Sequence, residues 1–217
     1  MRPNPYRDSA WEHAVAITRG WPDASEIPSG RKLNLGSGRI CLPNEDGWVN
    51  VDIVPSEGVD VRCDLFSFPW PFQDNSVDYM LAVHIVEHVP HQVYSTRCGW
   101  QRPLALNGFY AFFNEVYRIL RPGGYICVVV PYAYSRGAVM DPQHTRFLLP
   151  ESFGYLAGQE DDNYDYALPF RFEAINNTPY LMGLPWTGGM TQLQFEQSVQ
   201  TLWNVVDVMR VDLRPVK

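Results

Sequence analysis

The stretch Lys32 to Ile53, KLNLGSGRICLPNEDGWVNVDI, decides how this chain folds. A short apolar strand, Leu33 to Leu35, runs straight into Gly36-Ser37-Gly38. A second strand, Trp48 to Ile53, carries a carboxylate near its end, Asp52, sixteen positions after Gly36. Glycine lets the backbone turn sharply and lets a ligand approach with no Cβ in the way. A carboxylate at the tip of a neighbouring parallel strand can accept hydrogen bonds from the vicinal hydroxyls of a ribose. The pair describes a nucleoside-bearing cofactor laid across the carboxyl ends of two parallel strands.

A dinucleotide fingerprint asks for G-x-G-x-x-G, so that a helix packs close and offers its N-terminus to a pyrophosphate. Here Cys41 stands at the third position, with Ile40 beside it. Only about a dozen residues join the two strands, and Pro43 and Gly47 interrupt them, so little helix can form. A pyrophosphate loses its anchor. S-adenosylmethionine carries a ribose but no phosphate, and needs the glycine turn without the helix. On these residues the sequence resembles the class I S-adenosylmethionine-dependent methyltransferases, in the branch with a strand-LNLGSG-turn-GWVNVDI pattern.

The resemblance extends from Lys32 to Pro131. An acidic-ended strand at Asp64 is followed by the turn P-F-Q-D-N-S-V-D, a strand ending near Glu87-His88, a helix closing in R-I-L-R-P-G-G, and an apolar strand. It implies that Leu35, Gly36, Ser37 and Gly38 form the cofactor turn and that Asp52, with Ile53 beside it, takes the ribose. It also implies that Asp64 and Leu65 neighbour the adenine and that His84 lies beside the cofactor. Two positions depart from the pattern: Asn34 replaces the usual acidic residue before the glycines, and the first helix is truncated.

A chain of 217 residues that is 46% hydrophobic can bury a sizeable core. One domain is expected over 1–217: a helical extension and connector at 1–31, a cofactor-binding core at 32–131, and substrate-side and C-terminal strands at 132–217. The net charge of −7 argues against a nucleic-acid partner, which needs clustered Lys and Arg. Cys41, Cys63, Cys98 and Cys127 form no C-x-x-C pair and read as reduced cytoplasmic thiols. No apolar leader and no run of about 18 apolar residues is present, so no membrane association is expected.

Along the chain, Ser9-Ala10-Trp11-Glu12 fits a capping box for a short helix that stops at Gly20. Val59 to Leu65 reads as a third strand and Val77 to Val83 as a fourth, almost wholly apolar, as a parallel strand covered on both faces should be. Phe109, Phe112, Phe113, Val116, Ile119 and Leu120 mark one face of a helix over Phe109 to Arg121, with Asn107 as N-cap and Pro122-Gly123-Gly124 as terminator. Tyr125 to Val130 reads as the fifth strand, and Phe170 to Tyr180 and Val205 to Leu213 as two late strands. Strands alternating with helices predict a doubly wound α/β fold, with a mostly parallel seven-stranded sheet and helices on both faces.

His84-Ile85-Val86-Glu87-His88 matches H-x-x-E-H, the inverted zinc-protease motif. Its place at the exit of a buried strand is wrong for a zinc hydrolase, and no third ligand stands in a suitable helix downstream. No metal is therefore assigned. Asp141-Pro142-Gln143-His144-Thr145-Arg146-Phe147 follows the fifth strand, where ligands gather in such sheets. Histidine titrates near neutrality, so His144 is a candidate base for an acceptor hydroxyl, with Asp141 as its orienting partner and His88 as a second candidate. The alternative is that His144 and Arg146 only pin a loop. Tyr132 and Tyr134 at the same strand exit either face the sulfonium or simply pack. Residues 95–108 form an insertion at the ligand edge, a lid or an inert loop.

The acceptor is the quiet part of the sequence. Amino-methyltransferases of DNA bases carry an N/D/S-P-P-aromatic run where this chain reads Ala82-Val83-His84-Ile85, and no Pro-Cys pair offers a nucleophile. The expected reaction is O-methylation of a small-molecule or glycan-like acceptor. The rival readings are a nucleotide- or NAD-dependent enzyme on a similar sheet, and a non-catalytic binding module that keeps the fold.

Overall fold

In the computed structural model, residues 30–93, 106–157 and 168–217 are described. The helix expected after Ser9, Cys98 and most of the 95–108 insertion lie outside them.

Four parallel strands build the cofactor edge: β1 (Lys32–Leu35), β2 (Trp48–Asp52), β3 (Val61–Arg62) and β4 (Val77–Val83). Two short strands, β5 (Gln92–Val93) and β6 (Leu106–Asn107), pair antiparallel apart from the main sheet. They close off the described end of the insertion. Helix α1 (Gly108–Ile119) and strand β7 (Leu120–Pro131) follow, then α2 (Arg136–Met140), α3 (Pro150–Ala157), β8 (Phe172–Gly183), α4 (Gln192–Thr201) and β9 (Val206–Pro215). The main sheet has seven strands in the order β3-β2-β1-β4-β7-β9-β8, and β9 runs against its neighbours. The mostly parallel, open α/β sheet expected from the alternation is present. Its order reverses between β1 and β4, so the carboxyl ends of those two strands flank the crevice where doubly wound sheets bind ligands.

The apolar stripe read for α1 is the stripe that packs. Phe112, Phe113, Val116, Ile119 and Leu120 are fully buried, and the Asn107 side chain accepts the Phe109 N–H at 3.0 Å. The helix stops at Ile119, two residues short of the expected Arg121, because Leu120 already pairs with Val77 in the sheet. Pro122-Gly123-Gly124 then forms a bulge inside β7, where a Cβ on Gly124 would stand 2.7 Å from the Asp78 carbonyl oxygen. Phe153 and Leu156 of α3 join the same large core, and Phe195 and Val199 of α4 pack against it. The opposite face holds a smaller cluster around Trp48, Tyr79, Tyr125 and Cys127.

The crossover from β1 to β2 holds a single turn of 3-10 helix, Asn44–Asp46, as the spacing of Pro43 and Gly47 predicts. A buried amide network supports it instead of a helix. The Asn34 amide donates to the Ile40 carbonyl at 2.8 Å and to Asn50 Oδ1 at 3.0 Å. Asn50 in turn accepts the Leu42 N–H at 2.7 Å and donates to the Leu42 carbonyl at 2.9 Å. Asp60 closes the network by accepting the Asn50 N–H at 2.7 Å and the Asn44 amide at 2.9 Å.

The departure at Asn34 thus has a structural reason: a neutral amide can donate to a carbonyl where a carboxylate cannot. Asn34→Ala is expected to lower stability by about 1–3 kcal/mol by orphaning these partners, read by urea denaturation. The Asn50 N–H holds the Asp60 carboxyl below its ordinary range. That support is fully in place above the ordinary carboxylate value and is lost as pH falls through the lowered one.

Candidate cofactor and acceptor site

Gly36 and Gly38 both take positive φ, +66° and +55°, so the turn has the left-handed backbone that favours glycine. Their roles differ. A Cβ on Gly36 would stand 1.9 Å from Ile85 Cδ1, so Gly36 lets the segment after β4 pack directly on the turn. A Cβ on Gly38 would meet nothing within 4 Å, so Gly38 faces open space. Between them Ser37 is buried, and its hydroxyl has no hydrogen-bond partner among the described residues.

Asp52 holds the turn as well as facing it. One carboxylate oxygen accepts the Gly38 N–H at 2.8 Å, and the other accepts the Val54 N–H at 2.8 Å. Ser56 donates its hydroxyl to the Gly38 carbonyl at 3.0 Å, a clasp that the sequence reading missed. An ionised carboxylate offers about four acceptor positions, so about two remain beyond these bonds. Ile53 is 53% exposed and Val54 60% exposed, giving a bare apolar face beside the carboxylate.

Asp64 stands two residues past β3 on the same edge. Its oxygens accept the Phe66 N–H at 2.9 Å and the Ser67 hydroxyl at 2.6 Å, so it caps its own turn. The side chains of Leu35 and Leu65 lie in the core, which leaves only their backbones to a ligand.

These features fit S-adenosylmethionine. The open face at Gly38 gives room, the unpartnered Ser37 hydroxyl and the spare lone pairs of Asp52 meet polar groups, and Ile53 with Val54 offers a surface for a flat ring. The single 3-10 turn in the crossover gives a pyrophosphate no helix N-terminus. Gly38→Val is expected to abolish measurable S-adenosylmethionine binding, because a branched side chain fills the open face and strains the positive φ. Calorimetry on the folded variant checks it.

The acceptor side is assembled from two distant segments. Past β4, His84 takes a positive φ of 55°, rare for a residue with a Cβ, and its N–H donates to the Val129 carbonyl at 2.9 Å. His84 Nδ1 lies 3.0 Å from Glu87 Oε1. Glu87 is 1% exposed, and its other oxygen, Oε2, has no partner among the described residues.

The segment Asp141–Phe147 docks along this one. Thr145 and Arg146 donate their backbone N–H groups to the Glu87 carbonyl at 2.9 and 3.1 Å. The Arg146 guanidinium donates to the carbonyls of Val89 at 2.8 Å and Pro90 at 2.7 Å, so Arg146 is a loop pin. His144 Nδ1 is 2.9 Å from the Ala138 carbonyl, and a carbonyl only accepts, so Nδ1 carries the proton and Nε2 the lone pair. His88 is arranged likewise, with Nδ1 3.3 Å from the Gln143 carbonyl. The two rings meet edge to face at 4.7 Å.

Asp141 lies elsewhere than a base's orienting partner would. Its Oδ1 accepts the Gln143 N–H at 2.8 Å, and its Oδ2 is 3.9 Å from His144 Nε2, on the lone-pair side of the ring. The Ala138 carbonyl orients the imidazole instead. Tyr132 is buried in the main core, and Tyr134 is 51% exposed, its ring edge-on to that of Tyr132 at 5.9 Å. Cys63 and Cys127 are poor nucleophiles: burial pushes the Cys63 thiol up to about 11 and Cys127 higher still.

The strand order, the glycine turn and the strand-end carboxylate define a Rossmann-like nucleoside-cofactor fold. Residues 50–128 match the family model described as a methyltransferase domain, and no curated protein sequence matches the chain. The fold is similar to a SAM-dependent methyltransferase from Archaeoglobus fulgidus, with TM-score 0.61 at 17% identity over 96% of this chain and 95% of that one. It is also similar to phosphoethanolamine N-methyltransferase 2 from Haemonchus contortus, crystallised with S-adenosyl-L-methionine, with TM-score 0.52 at 13% identity over 95% of this chain and 53% of that one. A third likeness is to the 4+2 cyclase SpnF, with TM-score 0.52 at 15% identity over 100% of this chain and 85% of that one. At these identities the likenesses speak for the fold alone. The matched core is similar to a methyltransferase domain, and the fold is one shared with S-adenosylmethionine-dependent methyltransferases.

Proposed function

We propose that this methyltransferase acts on oxygen, transferring the methyl group to a hydroxyl of a small-molecule or glycan-like acceptor. One observation carries the reading: His144 Nε2 presents a lone pair from a ring whose other nitrogen is fixed on the Ala138 carbonyl, beside Glu87 and His88. A hydroxyl must lose its proton as it is methylated, and such a group assists that loss.

When bound, S-adenosylmethionine supplies a methyl group on a positively charged sulfur. The chain does the rest. Gly36, Ser37 and Gly38 with Asp52 hold the cofactor in the crevice, Asp64 and Ile53 border its adenine, and His84 borders the reacting end. In-line displacement gains most from positioning, and the segment that carries His84 and His88 packs on the glycine turn through Ile85. The acceptor lies against the strand-exit segments.

A base-methylating role is disfavoured, because Ala82-Val83-His84-Ile85 offers no paired carbonyl acceptors of the N/D/S-P-P type. The acidic net charge likewise disfavours nucleic acid as acceptor. One domain working in the cytoplasm is supported by the free thiols of Cys41, Cys63 and Cys127. Among the described residues no helix is long and apolar enough to cross a membrane.

Thermal-shift titration separates the cofactor readings. S-adenosylmethionine and S-adenosylhomocysteine are expected to raise the Tm and NAD to leave it unchanged. A product assay with mixed hydroxyl and amine acceptors then tests turnover against a non-catalytic module, with methyl ethers as the expected products.

A further inference from the structure

The three side chains that the acceptor site gathers are also a ligand set. Glu87, His88 and His144 each bring one ligand-capable atom to a common point, all within 4.8 Å of one another. Such a cluster alone would carry nothing, but two independent features accompany it. Glu87 Oε2, in a residue 1% exposed, is buried with no hydrogen-bond partner among the described residues. A buried, unpaired carboxylate oxygen is costly unless something positively charged satisfies it. Both imidazoles, moreover, fix Nδ1 on a backbone carbonyl, His144 on Ala138 and His88 on Gln143. That leaves both Nε2 lone pairs facing away from the carbonyls, the outer-sphere arrangement that orients histidines toward metal ions. His84 Nδ1 on Glu87 Oε1 does the same for the carboxylate.

The geometry points to a first-row divalent cation site formed by Glu87, His88 and His144. Two neutral imidazoles and one carboxylate suit zinc, manganese, iron or cobalt better than magnesium or calcium, which prefer all-oxygen shells. Three protein ligands leave coordination positions open, as a reactive rather than a structural site requires. The sequence motif H-x-x-E-H contains two of the ligands but misleads about the third. His84 supports Glu87 from behind, and His144 arrives from a turn between α2 and α3.

This inference rests on the hydroxyl-acceptor reading and deepens it. With the cation bound, the His144 Nε2 lone pair is a ligand rather than a base, and the cation itself favours loss of the acceptor's hydroxyl proton to solvent. The oxygen lone pair then forms the O–C bond as the C–S bond breaks, and sulfur keeps the bonding pair. The products are the methyl ether, S-adenosylhomocysteine and one proton.

The test is titration of chelator-stripped, full-length protein with Co2+, followed by calorimetry and visible absorption. One Co2+ per chain is expected, with His88→Ala and Glu87→Gln each weakening it about 100-fold or more. His91→Ala, an exposed histidine outside the cluster, is expected to leave the affinity unchanged. Far-UV circular dichroism confirms folding, and His88→Ala keeps the test decisive if the buried Glu87→Gln variant unfolds. No stoichiometric binding, or binding indifferent to His88→Ala, overturns the proposal.

Methyl transfer is read in parallel with and without added Co2+, Zn2+ or Mn2+. Ether formation that needs no metal, in a protein that binds none, removes the cation site and leaves the O-methylation reading standing. Stoichiometric binding at the three residues with no methyl group reaching oxygen keeps the site and removes that reading.

Discussion

His144→Ala is expected to cut turnover about 10²–10⁴-fold while leaving S-adenosylmethionine affinity nearly intact. The loss follows from Nε2, the ring nitrogen left once Nδ1 is tied to the Ala138 carbonyl, on a residue clustered with Glu87 and His88. His144 has a second tie, from Nδ1 to the Ala138 carbonyl at 2.9 Å, and alanine removes both. His144→Asn separates them, since its amide can donate to Ala138 in place of Nδ1–H and has no lone-pair nitrogen at the Nε2 position. Turnover lost equally in both variants assigns the effect to Nε2. Turnover restored by asparagine would reduce His144 to a loop pin like Arg146. Steady-state kinetics with a calorimetric measurement of S-adenosylhomocysteine binding read the two terms apart.

Asp52→Ala is expected to weaken S-adenosylmethionine binding by about 1–3 kcal/mol, because a charged acceptor of hydrogen bonds is lost. The structure adds a reason beyond the ribose. Asp52 also accepts the Gly38 and Val54 N–H groups, so its removal loosens the glycine turn itself. Calorimetry on the folded variant gives the affinity, and thermal unfolding without cofactor reports how much of the loss is local structure. Unchanged affinity would remove Asp52 from the cofactor site.

Most of the fold was legible because its signals are local. The stripe on α1, its Asn107 cap and the apolar run of β4 each follow from spacing within one element, and each is found at or within two residues of its expected bounds. The glycine turn and Asp52 were legible for the same reason: strand, turn and strand lie within one short stretch. Asn34 looked like a defect because its partners, Ile40 and Asn50, come together only once the crossover folds.

The acceptor side was legible only in pieces. Glu87 and His88 were read as one motif and His144 as another, and nothing in the spacing says that the turn after α2 docks on the strand exit through Thr145 and Arg146. Asp141 illustrates the converse error. It was expected to orient His144, yet its Oδ1 accepts the Gln143 N–H and its Oδ2 stands 3.9 Å from Nε2, while the Ala138 carbonyl holds Nδ1. Sequence proximity named the neighbour, and backbone geometry chose the contact.

The account's central claim is that this methyltransferase delivers its group to oxygen at the Glu87–His88–His144 cluster. The most direct measurement supplies S-adenosylmethionine labelled with 13C on the methyl carbon, with a panel of hydroxyl-bearing and amine-bearing small molecules and glycans. The product's carbon resonance is then read for the wild type and for His144→Ala. The account predicts an O-methyl resonance that grows with the wild type and is nearly lost with the variant. A product labelled on nitrogen or carbon, or an O-methyl signal undiminished in His144→Ala, would contradict it.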